Sequence, residues 1–113
     1  MPWRVKTMPL GTKMDAEYAI TNQQLTSTPV HVALTTSADE STELAVGRHR
    51  ITCTEDCYVL QGATGVDTTL AAVANGHFLA AGVIDYIYVT AATDAFLAGI
   101  VASGTATLCI SQQ

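Results

Sequence analysis

The chain is poor in charge. Only 13% of its 113 residues are Asp, Glu, Lys or Arg, whereas about 25% is typical of soluble domains. Hydrophobic residues make up 49%, and a single domain of this size must leave much apolar, Thr, Ser or Ala surface outside its core. This composition favours a subunit of an oligomer or assembly, whose surface is covered by partners. A soluble monomer with a Thr- and Ala-rich surface is the alternative.

Positive charge is especially scarce. Three of the five cations, Arg4, Lys6 and Lys13, lie in residues 1–13, which contain no acid. Residues 14–113 hold two arginines against ten acids and therefore carry a net charge of −8. So acidic a body argues against binding of a phosphate backbone as the main activity. The basic N-terminal segment is instead a candidate docking arm.

Long apolar runs are also missing. No run reaches the roughly 18–20 apolar residues of a membrane span, and the N-terminus lacks the apolar stretch of a secretory leader. We therefore expect a protein made in the cytosol with reduced thiols. Its three cysteines, Cys53, Cys57 and Cys109, are odd in number and form no CxxC pair. We expect all three to be small buried hydrophobic residues, and not a Cys53–Cys57 disulfide.

Patterns that indicate chemistry are absent too. His49, Cys53 and Cys57 recur at intervals of four residues. However, His49 and Cys53 would lie about 13 Å apart along one strand, too far to share a tetrahedral zinc ion. The three histidines form no motif and have no nucleophile–base arrangement around them. The sequence predicts no catalytic residue, no metal site, no cofactor and no enzymatic activity.

What the chain does contain is a series of short alternating segments. In one of them Val30, Val32 and Leu34 point one way and the residues between them the other. Strands are predicted over residues 29–36, 44–46, 48–53, 57–61, 77–79, 85–90, 95–102 and 105–111. Seven or eight short strands with turns every 8–12 residues indicate an all-β fold. We predict a single small antiparallel β-sandwich, jelly-roll-like, over residues 29–113, preceded by an extended N-terminal arm and lead-in over residues 1–28.

Two local pairings are predicted within this sandwich. The three-residue turn at 54–56 favours an antiparallel hairpin between its flanking strands, and the last three strands favour a meander. Residues 37–42 are predicted to form a polar loop, and residues 62–75 a loop with one helical turn. On the arm, Trp3 either folds back on its own domain or inserts into a neighbour as an anchor.

The order of several short segments resembles that of small all-β head-decoration, or cement, proteins of tailed bacteriophages. The resemblance covers about the last 60% of the chain. The residues that carry it are Gly47–Ile51 (GRHRI), Cys57–Val59 (CYV), Gly76–Gly82 (GHFLAAG), Tyr86–Val89 (YIYV) and Gly104–Ile110 (GTATLCI). Such proteins often have Pro where Ala80 or Ala81 stands in this chain.

The resemblance implies a structural role at the surface of a virion whose proteins are made in the host cytoplasm. It implies a homotrimer that binds the major capsid protein and stabilises the shell, with no nucleic acid or membrane as partner. From the charge of the arm we expect Trp3, Arg4 and Lys6 to contact the capsid. The alternative is a phage tail or fibre β-domain that contacts a host receptor or carbohydrate, with Tyr86 and Tyr88 as its aromatic platform.

Overall fold

Two antiparallel sheets of four strands make up the body of the protein. The computed structural model describes residues 28–113. The strands are β1 (Val30–Leu34), β2 (Asp39–Glu40), β3 (Gly47–Cys53), β4 (Cys57–Gly62), β5 (His77–Leu79), β6 (Asp85–Val89), β7 (Phe96–Ile100) and β8 (Ala106–Gln112). Sheet one has the order β1-β8-β3-β6, and sheet two has the order β2-β7-β4-β5. The predicted all-β sandwich is confirmed in this part of the chain.

Both local pairings predicted from the sequence are wrong. β3 and β4 lie in different sheets, so residues 54–56 cross the sandwich and do not close a hairpin. The last three strands alternate between the sheets in the same way, and no two of them pair. Alternation identifies which face of a strand is buried, but it does not identify the neighbouring strand. A three-residue link reaches about 13 Å, enough to cross the roughly 10 Å between facing sheets.

The segment between β1 and β3 also differs from its prediction. Residues 37–42 contain β2, which pairs Asp39 and Glu40 with Gly99 and Ala98 of β7. Residues 44–46 do not form a strand. Leu44 is buried all the same, and its backbone N–H donates to Ala95 O at 2.8 Å. Leu44 is a loop residue whose side chain is buried in the core, and its apolar character led to the wrong prediction of a strand over residues 44–46.

The main core lies between the two sheets. Val32 and Leu34 of β1, Leu108 and Ile110 of β8 and Leu97 of β7 are among its buried residues. Alternation predicted the inward faces of β1 and β8 correctly, because each of these strands buries one side only. Gly99 of β7 lies against the Leu34 side chain, so the two sheets approach each other closely at this point.

A second, smaller core covers the outer face of sheet two. The helix α1 (Val66–Thr69) and the chain that follows it bury Val66 and Leu70 against Ala98 and Ile100. The Glu40 side chain holds this segment, because its carboxylate accepts hydrogen bonds from the backbone N–H groups of Gly65 and Asp67. Since β7 is buried on both faces, its sequence is a continuous apolar run without alternation. The predicted loop with one helical turn is confirmed only in part, because a second turn, a 3-10 helix, follows at Val73–Asn75.

The cysteines differ in their surroundings. All three carry free thiols; Cys53 and Cys57 are buried in the core, as predicted, whereas Cys109 is only half-buried on the outer face of sheet one. Burial, together with the adjacent Cys53 side chain, raises the pKa of the Cys57 thiol to about 12. Such a thiol stays protonated at neutral pH and is a poor nucleophile. The predicted arm residues Trp3, Arg4 and Lys6 lie outside the described residues.

Candidate functional site

Three exposed hydrophobic residues lie close in sequence at one edge of the sandwich. Phe78, Val83 and Ile84 are 58%, 50% and 54% exposed. They lie on β5 and on the loop that joins β5 to β6, and we call these three residues the apolar edge. Side chains of this size are usually buried, and neighbouring exposed ones mark surfaces that contact other molecules.

The fold places these residues at an open edge. β5 is the last strand of sheet two and β6 the last strand of sheet one, so each leaves one row of backbone groups unpaired by its own sheet. Between the sheets at this edge lies a slot of about 260 Å³. Ile51, Val59, Ile87 and Leu97 are among the residues that line it, and His77 and Asp85 also belong to its wall.

The loop that carries Val83 and Ile84 is held in place by hydrogen bonds. The backbone N–H of Gly82 donates to Cys53 O at 2.9 Å, and that of Ala81 donates to Asp56 Oδ1 at 2.8 Å. Gly82 has a φ of +74°, a conformation that glycine adopts without the strain of other residues. The turn is therefore tied to the β3–β4 link, and it presents the two aliphatic side chains in a defined position.

Next to the apolar edge lies a group of aromatic and cationic side chains on the outer face of sheet one. Arg48 pairs with Tyr88 across the β3–β6 ladder, and Arg50 pairs with Tyr86. We call these four residues the arginine face. The Arg48 guanidinium carbon lies 4.1 Å from the centroid of the Tyr86 ring, which is cation–π geometry. Tyr86 and Tyr88 are 41% and 66% exposed.

The arginine face carries both cations of residues 14–113. Their neighbours across the ladders are Tyr88, Tyr86 and Ser111, none of which is an acid. Further across the same face lie Thr52, Thr107, Cys109 and His31. The result is a small positive and polar region on a body that is otherwise acidic.

The histidines and acids do not form a catalytic arrangement. His49 is buried, and its Nε2–H donates to Ala45 O at 2.7 Å, so it has a structural partner. His31 and His77 are exposed and belong to different sheets. Among residues 28–113, no group of three or more His, Cys, Asp or Glu side chains is placed to hold a metal ion. No helix in the same range combines the length and apolar character needed to cross a membrane.

Sequence reasoning found part of this site. It placed Tyr86 and Tyr88 together as an aromatic platform, and the structure brings them beside Arg48 and Arg50. It missed the apolar edge. The available signal was the pair Val83–Ile84 directly after a glycine turn, where apolar residues have no alternating pattern to explain them.

Comparison of the whole chain with protein-family models, with characterised proteins and with solved structures gave no match.

Proposed function

We propose that this protein is a structural component of a tailed-phage virion, which binds the capsid shell as a decoration or cement protein. The observation that carries the proposal is the apolar edge. Phe78, Val83 and Ile84 are each at least half exposed, and the loop beneath the two aliphatic residues is tied down by hydrogen bonds. An ordered apolar surface of this kind favours a protein partner, because docking removes it from water.

The strand order supports a jelly roll as the specific form of the sandwich. An eight-stranded chain with the sheets 1-8-3-6 and 2-7-4-5 has the arrangement expected of two interleaved Greek keys. Jelly rolls are frequent in viral capsid proteins as well as in lectins. The topology is therefore compatible with a virion role but does not decide between virion proteins and lectins. Capsid binding is inferred from the exposed side chains.

The proposed partners are the major capsid protein and two further copies of this chain, assembled as a homotrimer on the outside of the shell. A stable interface removes about 800 Å² of surface from each partner. The three side chains of the apolar edge supply only the central part of such an interface. Because only 13% of the residues are charged, further surface of the chain can be removed from water at little cost. The basic arm with Trp3, Arg4 and Lys6 would supply a second contact.

The test uses empty shells assembled from the major capsid protein encoded in the same genome. Shells are mixed with the full-length chain, sedimented and assayed for bound protein, and imaged to locate it. Ile84→Asp should lower occupancy at least about tenfold, because a carboxylate cannot be buried unpaired without cost. The matched control is Thr64→Asp, which adds the same charge at an exposed loop position away from the apolar edge.

Two outcomes would overturn the proposal. One is wild-type protein that does not sediment with the shells; the other is Ile84→Asp protein that binds as well as Thr64→Asp protein. Deletion of residues 1–13 tests the arm separately, and undiminished occupancy would remove Trp3, Arg4 and Lys6 from the contact. Protein found on the tail in images of complete virions would favour the tail or fibre alternative.

A further inference from the structure

We propose that the arginine face binds a carboxylated sugar, such as a terminal sialic acid or a uronic acid of a glycan. This site is separate from the apolar edge and does not depend on the shell-binding role. The juxtaposition that carries it is two arginines, which have no acidic ladder partner within residues 28–113, beside two exposed tyrosines on one face of sheet one.

The spacing of the arginines suits one small ligand. Arg48 and Arg50 lie two residues apart on β3, so their side chains leave the same face at positions about 7 Å apart. The Arg48 guanidinium carbon lies 4.1 Å from the centroid of the Tyr86 ring. A guanidinium that stacks on the ring through its flat face would keep its in-plane N–H groups for a ligand. A carboxylate accepts two such N–H groups side by side, with a geometry that no neutral sugar group reproduces.

The tyrosines supply the complementary contact for the body of the sugar. Tyr88 is 66% exposed and pairs directly with Arg48 across the ladder. An exposed aromatic ring offers an apolar face on which the C–H side of a pyranose packs, and its hydroxyl remains available for a hydrogen bond. One monosaccharide can therefore place its carboxylate on Arg48 or Arg50 and pack its pyranose ring on Tyr88.

Unused hydrogen-bonding groups lie beside this pair. The backbone N–H of Gln113 donates to Arg48 O at 2.9 Å, so this residue directly follows the end of β8 beside Arg48. Within residues 28–113 the side-chain amide of Gln113 has no hydrogen-bond partner, although both its Nε2 and Oε1 atoms are buried. Buried polar groups are normally satisfied, so this amide would pair with a sugar hydroxyl only if the Gln113 side chain turned outward when the sugar binds.

The surroundings favour a sugar over a protein or a nucleic acid. Toward β8 and β1, the face carries hydroxyl, imidazole, thiol and methyl side chains and no Leu, Ile, Val, Met or Phe. The apolar edge borders it only at the start of β6, so its centre is not apolar, unlike that of most protein interfaces. A nucleic acid presents a continuous row of phosphates, which a body with a net charge of −8 over residues 14–113 repels. A single carboxylate on an otherwise neutral glycan avoids that repulsion.

The experiment titrates the full chain with sialyllactose, with glucuronic acid and with neutral lactose, and follows amide chemical shifts by NMR. We expect binding of at least one carboxylated sugar at millimolar concentration, shifts centred on β3 and β6, and no binding of lactose. Arg50→Gln and Tyr88→Ala should each weaken binding, the first by about 10- to 100-fold, as expected for loss of a hydrogen bond to a charged group. Phe78→Ala, which leaves all four residues in place, is the matched control and should bind as the wild type does.

Three results would overturn the proposal: equal affinity for lactose, affinity unchanged by Arg50→Gln, or preferential binding of a short oligonucleotide that is lost in Arg50→Gln. The amide spectrum of each variant also reports its folding, and Arg50→Lys serves if Arg50→Gln does not fold, since a lysine keeps the charge but not the bidentate donor pair. Shell occupancy of Arg50→Gln should remain that of the wild type. A failure of sugar binding is thereby distinguished from a failure of shell binding.

Discussion

Replacement of Gly99 by alanine should destabilise the protein through one defined contact between the sheets. Gly99 is the fourth of the five residues of β7, and Leu34 is fully buried on β1 of the facing sheet. A methyl group built on Gly99 would lie 2.8 Å from Leu34 Cδ1 and 2.9 Å from Cδ2. Carbon atoms in good contact are about 3.5–4.0 Å apart, so the leucine or the sheet has to shift by more than half an ångström.

The expected magnitude follows from two opposing effects. Overpacking of a filled core costs about 1–3 kcal/mol. Removing a glycine from the interior of a strand recovers about 0.5–1 kcal/mol, because the unfolded chain loses less conformational entropy on folding. We therefore expect Gly99→Ala to lower the free energy of unfolding by about 1–2 kcal/mol, with a fall in Tm of about 4–8 °C for each kcal/mol in a domain of this size.

The assay is urea unfolding followed by circular dichroism, on Gly99→Ala, Leu34→Ala and the double variant. Leu34→Ala alone should cost about 2–5 kcal/mol, because it leaves a cavity. In the double variant the new methyl group occupies part of that cavity, so its cost should be below the sum of the single costs by at least about 1 kcal/mol. Thr107→Ala, at an exposed strand position, should change stability by less than about 0.5 kcal/mol. Strictly additive costs, or a stabilising Gly99→Ala, would refute the contact.

Three further predictions concern polar and titratable groups. In the folded protein the pKa of the Cys57 thiol is raised from 9.0 to about 12, so the native state keeps this proton at pH values where the unfolded state has lost it. The free energy of unfolding should therefore not change below pH 9. Between pH 9 and 12 it should fall by up to about 1.4 kcal/mol per pH unit. Cys57→Ala should have a shallower alkaline slope in unfolding experiments, and an unchanged slope would contradict the assignment. Hydrogen bonds from the Thr90 hydroxyl and nearby backbone N–H groups lower the pKa of Asp94 below its ordinary 3.8. The contribution of Asp94 to the free energy of unfolding is therefore present above pH 3.8 and is lost as the pH falls through the lower folded pKa. The difference in free energy of unfolding between the wild type and Asp94→Ala should shrink in this acidic range, and a difference independent of pH would argue against these hydrogen bonds. Gln61 Nε2 donates to Tyr88 O at 2.7 Å and to Asp94 O at 2.8 Å. Gln61→Ala should lower the free energy of unfolding by about 1–3 kcal/mol and speed hydrogen exchange of the β6 amides. Unchanged exchange would show that these two hydrogen bonds do not hold β6 in place.

The candidate site was predictable only in part, for physical reasons. The shared face of Tyr86 and Tyr88 follows from strand alternation, which is a property of the backbone alone. Their neighbours Arg48 and Arg50 come from a strand more than thirty residues earlier, and no local pattern encodes that pairing. The apolar edge depends on which strands are left at the ends of their sheets, which is decided by the pairing of the whole chain.

By itself, the sequence determined the class of fold, most of the strands and the buried side of several of them. These follow from the period of two in segments such as β1 and β8 and from the positions of turn residues, which are local properties. Only the tertiary structure decided that all successive strands except β4 and β5 lie in different sheets, that Leu34 contacts Gly99, and that Tyr86 and Tyr88 pair with two arginines. Strand partners are selected by burial of the whole core and by hydrogen bonds between distant segments, so they depend on all strands at once. A three-residue link such as 54–56 can join two paired strands in a hairpin or two strands in different sheets. Here the packing of the core places the two strands in different sheets.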